Sequence, residues 1–130
     1  MRVLRHLRPM CRPRAIVLDL TTVPPEAAVE RDGVVLGRLD QASFLERAAR
    51  SEEAVDRFVA DGLLVEEASI ELDVLKHFDS GPDLLDDVSG RELTAVPPAL
   101  RATLPLVAAP LVERSFCLLR RLRVPAGDHR

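Results

Sequence analysis

The residues of this chain best placed for chemistry follow its first apolar run. Residues 14–20 read Arg-Ala-Ile-Val-Leu-Asp-Leu, and Asp19 is soon followed by Thr21 and Thr22. Open α/β sheets bind their ligands beyond the carboxyl ends of their strands, so we predict that these three residues face a substrate. The alternative is that the acid and the two hydroxyls satisfy backbone groups where the strand ends, which is a common use of these residue types.

A second candidate is the pair formed by His77 and Asp79. Residues two apart on a strand point to the same face, so the imidazole and the carboxylate can meet as a general acid/base pair. The alternative is a solvated histidine at the end of a strand, which needs no function.

Metal and disulfide chemistry are not indicated by the spacing of the remaining residues. Cys11 and Cys117 lie near opposite ends of the chain without His or Cys partners at zinc-ligand spacing, so we expect both thiols to be reduced. The acids Glu66, Glu67, Glu71 and Asp73 lie on a predicted strand that points them to both faces, whereas calcium loops place their ligands around a glycine bend. We therefore predict a solvated sheet face and no metal site.

Three main strands are predicted from the apolar pattern. Residues 14–20 form a continuous apolar run of the kind that is covered on both faces. In residues 64–79, Ile70, Leu72 and Val74 alternate with polar residues, which predicts one buried and one wet face. The third strand covers residues 111–124 and ends in an arginine-rich segment.

Turns and helices are predicted between these strands. Asp32-Gly33 indicates either a tight hairpin between residues 28–31 and 34–36, which we favour, or the end of a helix followed by a strand. A helix is expected over 40–61, capped by Asp40 and ended by Gly62. Shorter helices are expected after Ser80-Gly81-Pro82 and from Pro97 to Leu104.

The composition indicates one folded domain over residues 1–130. Of the 130 residues 47% are hydrophobic and 30% charged, and the formal net charge is −3. The segments 1–14 and 120–130 are basic, while the middle is acidic. No apolar run reaches the roughly 20 residues of a membrane-spanning helix, so we expect no membrane contact and a cytoplasmic location.

Nucleic-acid binding is not expected either. The basic run Arg120-Arg121-Leu122-Arg123 has no stacking aromatic residues beside it, and the chain contains only four Phe and no Trp or Tyr. We expect this run to lie at a strand end and to bind acids of the neighbouring helix.

The opening of the chain resembles a known enzyme family. Val3-Leu4-Arg5-His6-Leu7-Arg8-Pro9, followed by the apolar run that ends at Asp19 and Leu20, is similar to the entry into the fifth strand of class I S-adenosylmethionine-dependent methyltransferases. That family continues with a helix, a sixth strand and an antiparallel seventh strand inserted between the fifth and the sixth. The resemblance implies an α/β fold: a partial mixed sheet of about three main strands, the last antiparallel, with helices packed on it, as in the carboxyl-terminal half of such an enzyme.

The cofactor-binding features of the family have no counterpart in these residues. Met10-Cys11 stands where the family has two glycines, and Gly33 and Gly37 do not form a glycine-rich turn between a strand and a helix. The resemblance therefore implies a fragment that transfers a methyl group to a small molecule only when a cofactor-binding half completes it. We expect no cofactor on the isolated chain, and S-adenosylmethionine on the completed protein.

The resemblance also carries an expectation about association. The strand at 14–20 would have an unpaired edge and an uncovered apolar face, so we expect a homodimer or a complementary chain. The alternative is a non-catalytic α+β domain for ligand binding or dimerisation, in which a mostly antiparallel sheet is covered by helices on one side.

Overall fold

The computed structural model describes residues 14–126 and shows an α/β fold, which confirms the predicted class. Within that range five strands form one open sheet, against which three α-helices and a 3₁₀ turn pack. In chain order the elements are β1 (Ile16–Thr22), β2 (Ala28–Arg31), β3 (Val34–Arg38), α1 (Ala42–Ala60), β4 (Val65–Phe78), α2 (Gly81–Ser89), α3 (Pro98–Thr103), the 3₁₀ turn (Leu104–Leu106) and β5 (Leu111–Arg123). The interpretations of residues 3–11 lie outside the described residues.

The last strand, β5, is the centre of the sheet. β4 pairs with it along its whole length, from Val65 opposite Arg123 to Phe78 opposite Leu111. On the other side, β1 pairs with the second half of β5 and β2 with the first half, while β3 pairs with β2. β1 and β4 therefore flank β5 and run in the same direction without touching.

The prediction of a mixed sheet with about three main strands is wrong in two respects. Every hydrogen-bonded strand pair in residues 14–126 is antiparallel, because β5 separates the two strands that run parallel to each other. The count is five because the hairpin of β2 and β3 joins the main sheet through β5. The antiparallel direction of the last strand is confirmed.

The hairpin lies where the dipeptide Asp32-Gly33 predicted it. Asp32 has φ 51° and Gly33 has φ 79°, so both turn residues are in the left-handed region that a two-residue hairpin requires. The helix α1 also lies within its predicted range and is followed by Gly62 at φ 76°.

Two apolar cores lie on opposite faces of the sheet. On the first, Val55 of α1 packs with Leu64, Leu122 and Val124; we call this side the α1 face. On the other, a second core includes Leu111 and the buried residues of α2 and α3, and we call this side the α2–α3 face. That core contains Ala27, Val29, Leu39, Leu84, Val88, Val96, Leu100, Leu104, Val107 and Leu111. Leu111 and Leu122 are eleven positions apart on β5, and side chains an odd number of positions apart point to opposite faces.

Half of the α2–α3 face is uncovered. Its exposed side chains form the open patch, which comprises Ile16 (44% exposed), Leu18 (67%), Leu20 (56%), Ile70 (57%) and Val74 (41%). The prediction that residues 14–20 are covered on both faces is wrong. The prediction of a buried apolar face on β4 is confirmed only in part, because Phe78 packs against the second core while Ile70 and Val74 are exposed. The physical reason is that α2 and α3 lie over the hairpin end of the sheet, and no other described element crosses the β1 end of this face.

Candidate functional site

A cluster of charged side chains lies between α1 and the sheet at β1. Arg120 of β5 is at its centre, with 7% of its side chain exposed. Its Nη1 donates to Glu52 over 2.8 Å and to Asp56 over 2.9 Å, and its Nε donates to Glu66 over 2.6 Å. We call Asp19, Glu52, Asp56, Glu66 and Arg120 the Arg120 cluster. The prediction that the arginine run binds acids of the neighbouring helix is confirmed for Arg120, whereas Arg121 and Arg123 contact Glu67 of β4.

Helix geometry places two of these acids side by side. Glu52 and Asp56 are four residues apart on α1, so their side chains lie on one face of the helix. The same helix buries Ala54 and Val55. Apolar packing therefore fixes the helix against the sheet, and the position of the helix brings both carboxylates to Arg120.

Hydrogen bonds keep Arg120 charged despite its position. Burial would lower the pKa of its guanidinium, but hydrogen bonds to Glu52, Glu66 and Asp56 raise it above the ordinary value. Charge-assisted hydrogen bonds of this kind are stronger than neutral ones. Arg120 thus links β5, α1 and β4 with a permanent positive charge.

Asp19 faces Glu52 inside this cluster. Burial raises the pKa of the Glu52 carboxyl, the hydrogen bond from Arg120 opposes the rise, and the neighbouring Asp19 carboxyl raises it further. Oδ2 of Asp19 is buried and accepts no hydrogen bond from the described residues. A proton on Glu52 would supply a donor beside this oxygen.

Two further arginines join elements in the same way. Arg91 donates from both terminal nitrogens to Glu113, over 2.8 and 2.7 Å, and also contacts Asp87. Arg114 bridges Glu30 of β2 and Asp73 of β4. These contacts hold the hairpin and α2 to β5 and are structural.

The acids of β4 are paired more than the sequence indicated. Glu66 contacts Arg120, Glu67 contacts Arg121 and Arg123, and Asp73 contacts Arg114. Among residues 14–126 no group of three or more His, Cys, Asp or Glu side chains could hold a metal ion.

The three residues predicted to face a substrate point to two sides of the sheet. Asp19 and Thr21 alternate with Thr22 along β1, so Asp19 and Thr21 share the α1 face and Thr22 points to the other. Asp19 lies in the Arg120 cluster, beside Glu52. The chain after Thr22 borders a concavity of about 200 Å³, lined by Val23, Pro24, Pro25, Glu71, Leu72, Asp73, Phe116 and Cys117. This is the concavity closest in sequence to the carboxyl end of β1.

The structure does not join His77 to Asp79. Both side chains are exposed, and no hydrogen bond connects them in the described part of the chain. His77 lines a different concavity, of about 320 Å³, beside Glu30 and Arg114. Asp79 does not line it, so the acid/base pair stays a prediction without a contact to support it.

Cys117 is a buried, free thiol opposite Thr22 and Leu72, as expected for a small apolar strand residue. A further concavity, of about 460 Å³, lies elsewhere, along α2 and the segment before α3. Its lining combines Asp86 and Arg101 with the apolar Leu85, Val88 and Val96, and none of the predicted site residues reaches it.

Sequence reasoning missed Glu52 as a member of the site. Asp19 lies in a strand that must pair with a neighbouring strand, and one of the predicted strands ends in arginines. This combination is the sequence signal that could have indicated Glu52. A buried acid there needs a cation, and Arg120 then needs further carboxylates. The nearest acids on a packed helix face are Glu52 and Asp56.

Comparison with protein-family models, curated proteins and solved structures finds no match to this chain. Within residues 14–126 no helix has both the length and the apolar character needed to cross a membrane.

Proposed function

We propose that these residues form the carboxyl-terminal half of a class I methyltransferase-like domain. The completed domain would transfer a methyl group from S-adenosylmethionine to a small molecule. The observation that carries the proposal is the strand order β1-β5-β4, with β5 antiparallel to both neighbours. That is the arrangement of the fifth, seventh and sixth strands in the family that the opening of the sequence resembles.

The order of elements along the chain supports the same assignment. α1 follows β1 and packs on one face, β4 follows α1, and β5 returns between the two strands after α2 and α3. The hairpin of β2 and β3 is then an insertion between the fifth strand and its helix.

Cofactor binding is assigned to a part of the domain outside these 130 residues. Gly33 lies in the turn of the hairpin and Gly37 lies in β3, so neither forms a strand-to-helix turn that could approach a cofactor. Another chain, or residues that precede these, would supply the first four strands. The outer edge of β1 is the place where the fourth strand would add.

We assign the substrate-binding side of the active site to this half of the domain. Thr21 and Thr22 are the last residues of β1, and the chain directly after them, including Pro24 and Pro25, lines a concavity. The Arg120 cluster fixes the position of β1 relative to α1 and β5. We assign Asp19 to positioning, and we assign no residue here to the chemical step.

A second candidate is a non-catalytic α+β domain for ligand binding or dimerisation. The exclusively antiparallel pairing of the described strands favours it. The placement of the helices does not, because α1 lies on one face and α2 with α3 lies on the other. In that alternative the helices would cover a single side.

A fusion protein tests the proposal. The first four strands of a small-molecule class I methyltransferase are joined to residues 14–126, and binding of S-adenosylhomocysteine is measured by calorimetry. The amino-terminal half alone and the same fusion carrying Val17→Asp are the controls. We expect a folded fusion that binds the cofactor product where both controls fail. A folded fusion that binds no better than the amino-terminal half alone would contradict the proposal.

A further inference from the structure

The exposed edges of the sheet differ in how they are protected. The outer edge of β4 carries a bulge between Glu66 and Ala68, and the strand contains five charged residues after Val65. β3 is only five residues long. Bulges, charges and short length are the devices by which proteins prevent the pairing of edge strands.

The outer edge of β1 has none of these devices. From Ile16 to Thr22 the pairing with β5 is regular, and the only charged residue is Asp19, which lies in the Arg120 cluster. β1 pairs with no other strand in the described part of the chain. This edge is open to strand addition.

The hydrogen bonds at both ends of β1 show which backbone groups face outward. The Val124 amide donates to the Ala15 carbonyl over 2.9 Å, and the Val23 amide donates to the Phe116 carbonyl over 2.8 Å. Hydrogen-bonded positions alternate along an antiparallel pair, so the odd-numbered residues of β1 bond to β5. The amides and carbonyls of Ile16, Leu18 and Leu20 therefore point away from the sheet.

We propose that this edge binds the same edge of a second copy of this chain, with Leu18 opposite Leu18 across a two-fold axis. In that antiparallel register Ile16 lies opposite Leu20 of the other copy, so every outward amide and carbonyl of these three residues finds a partner. On the same face the apolar side chains become cross-strand neighbours. On the α1 face Val17 lies opposite Asp19, so no like charges meet.

The register is specified by the strand itself. Ile16, Leu18 and Leu20 are apolar and symmetric about Leu18, and their outward backbone groups have the same symmetry. A shift by two residues would place Asp19 opposite a second Asp19 or would leave Leu20 without an apolar neighbour. Two-fold pairing of identical surfaces is also the commonest form of association between copies of one chain.

Sedimentation equilibrium of the 130-residue chain tests the interface with two exposed substitutions. Leu18→Lys places two like charges opposite each other at the axis, and Ile70→Lys adds the same charge to the open patch on β4, away from the axis. Both side chains are more than half exposed, so neither substitution threatens the fold. We expect a dimer for the natural chain and for Ile70→Lys, and a twofold lower mass for Leu18→Lys.

Cross-linking tests the register. In a background without the two native cysteines, oxidation should join Leu18→Cys chains into a dimer, because directly opposed residues have Cα atoms about 5.5 Å apart, within the disulfide range. Ile70→Cys should not cross-link.

Three results would overturn the proposal: a monomeric natural chain, a dimer that survives Leu18→Lys, or a dimer that Ile70→Lys also dissociates. The last would show association through the open patch rather than the edge. The interface goes beyond the proposed function and uses the same outer edge of β1 to which the fourth strand would add, so a second copy and the completing half are alternative partners of that edge. These tests measure mass and cross-linking of the chain without the completing half and without cofactor, so either proposal can fail alone.

Discussion

Nη1 of Arg120 lies 2.8 Å from Oε1 of Glu52, and this contact joins the central strand to the helix that covers it. Arg120 also bonds Asp56 and Glu66, so one cation offsets three carboxylates. Removing it leaves Glu52, whose side chain is only 15% exposed, without a cationic partner.

Arg120→Gln should therefore lower the free energy of unfolding by about 3 kcal/mol, because loss of one partner of a buried pair leaves the others uncompensated. Urea unfolding followed by circular dichroism measures the change. Arg57→Gln, an exposed arginine on the same helix, is the control and should change stability by about 0.5 kcal/mol or less. Equal effects of the two substitutions would show that the Arg120 cluster does not hold α1.

Glu52→Gln should weaken the pH dependence of stability. The folded-state pKa of Glu52 is raised above its ordinary value of 4.5, first by burial and also by Asp19. The folded chain therefore binds the proton of the Glu52 carboxyl more tightly than the unfolded chain does. The stabilisation that this proton gives the folded chain is complete below pH 4.5 and is lost as pH rises through the folded-state pKa. A glutamine amide can donate to Asp19 at every pH.

Urea unfolding of Glu52→Gln at several pH values checks this expectation. Above pH 4.5 the stability of the variant should fall less steeply than that of the natural chain, and at neutral pH the variant should be at least as stable. Glu53→Gln, at the exposed neighbouring position, is the matched control. Identical pH profiles for Glu52→Gln and the natural chain would show that folding does not raise the pKa of Glu52.

Val17→Asp should abolish most of the fold and the association that depends on β1. Val17 packs against the core of Val55, Leu64 and Leu122, on the same face as Asp19. A new carboxylate there has no cation and adds to existing negative charge, which should cost about 3 kcal/mol or more.

Leu18→Asp is the matched control for Val17→Asp, because it places the same group one residue away on the exposed face. It should stay folded, with a change of about 0.5 kcal/mol in the monomer, and should lose only the association, because two carboxylates then oppose each other at the two-fold axis. Far-ultraviolet circular dichroism and sedimentation measure both variants. A folded Val17→Asp chain of unchanged mass would show that this face of β1 is not buried.

Gly81→Ala should be strongly destabilising. A Cβ at Gly81 would lie 1.8 Å from the carbonyl oxygen of Leu104 and 2.6 Å from its carbon, and backbone cannot move as a side chain can. We expect a loss of about 3 kcal/mol, at the upper end of overpacking effects. At Gly90 the nearest atom is 3.6 Å away, so Gly90→Ala should be tolerated. Comparable thermal unfolding of both variants would contradict the close approach of α2 to the 3₁₀ turn.

Local patterns predicted most of the elements but not how they are covered. Asp32-Gly33 specifies its turn because few residue pairs adopt two left-handed conformations. The alternation of Ile70, Leu72 and Val74 shows which side chains share a face. It contains no information about how much of that face another element covers, and here α2 and α3 cover only the hairpin end.

The candidate site was predicted in part for a similar reason. Asp19 could be singled out because an acid in an apolar strand is unusual, but its partner Glu52 is more than thirty residues away and is brought near by the packing of α1. His77 and Asp79 have the spacing of a pair, yet the strand ends at Phe78 and their side chains do not meet. Residue spacing determines which side chains share a face only within a strand, and Asp79 lies beyond the end of β4.

Calorimetric titration of the purified 130-residue chain with S-adenosylmethionine and S-adenosylhomocysteine tests the central claim, that these residues are a methyltransferase-like half without a cofactor site. The mass in solution is recorded on the same sample. The account predicts a folded chain that releases no heat of binding with either compound. Micromolar binding would contradict it, since a complete cofactor site would then be present in this chain or between two copies of it.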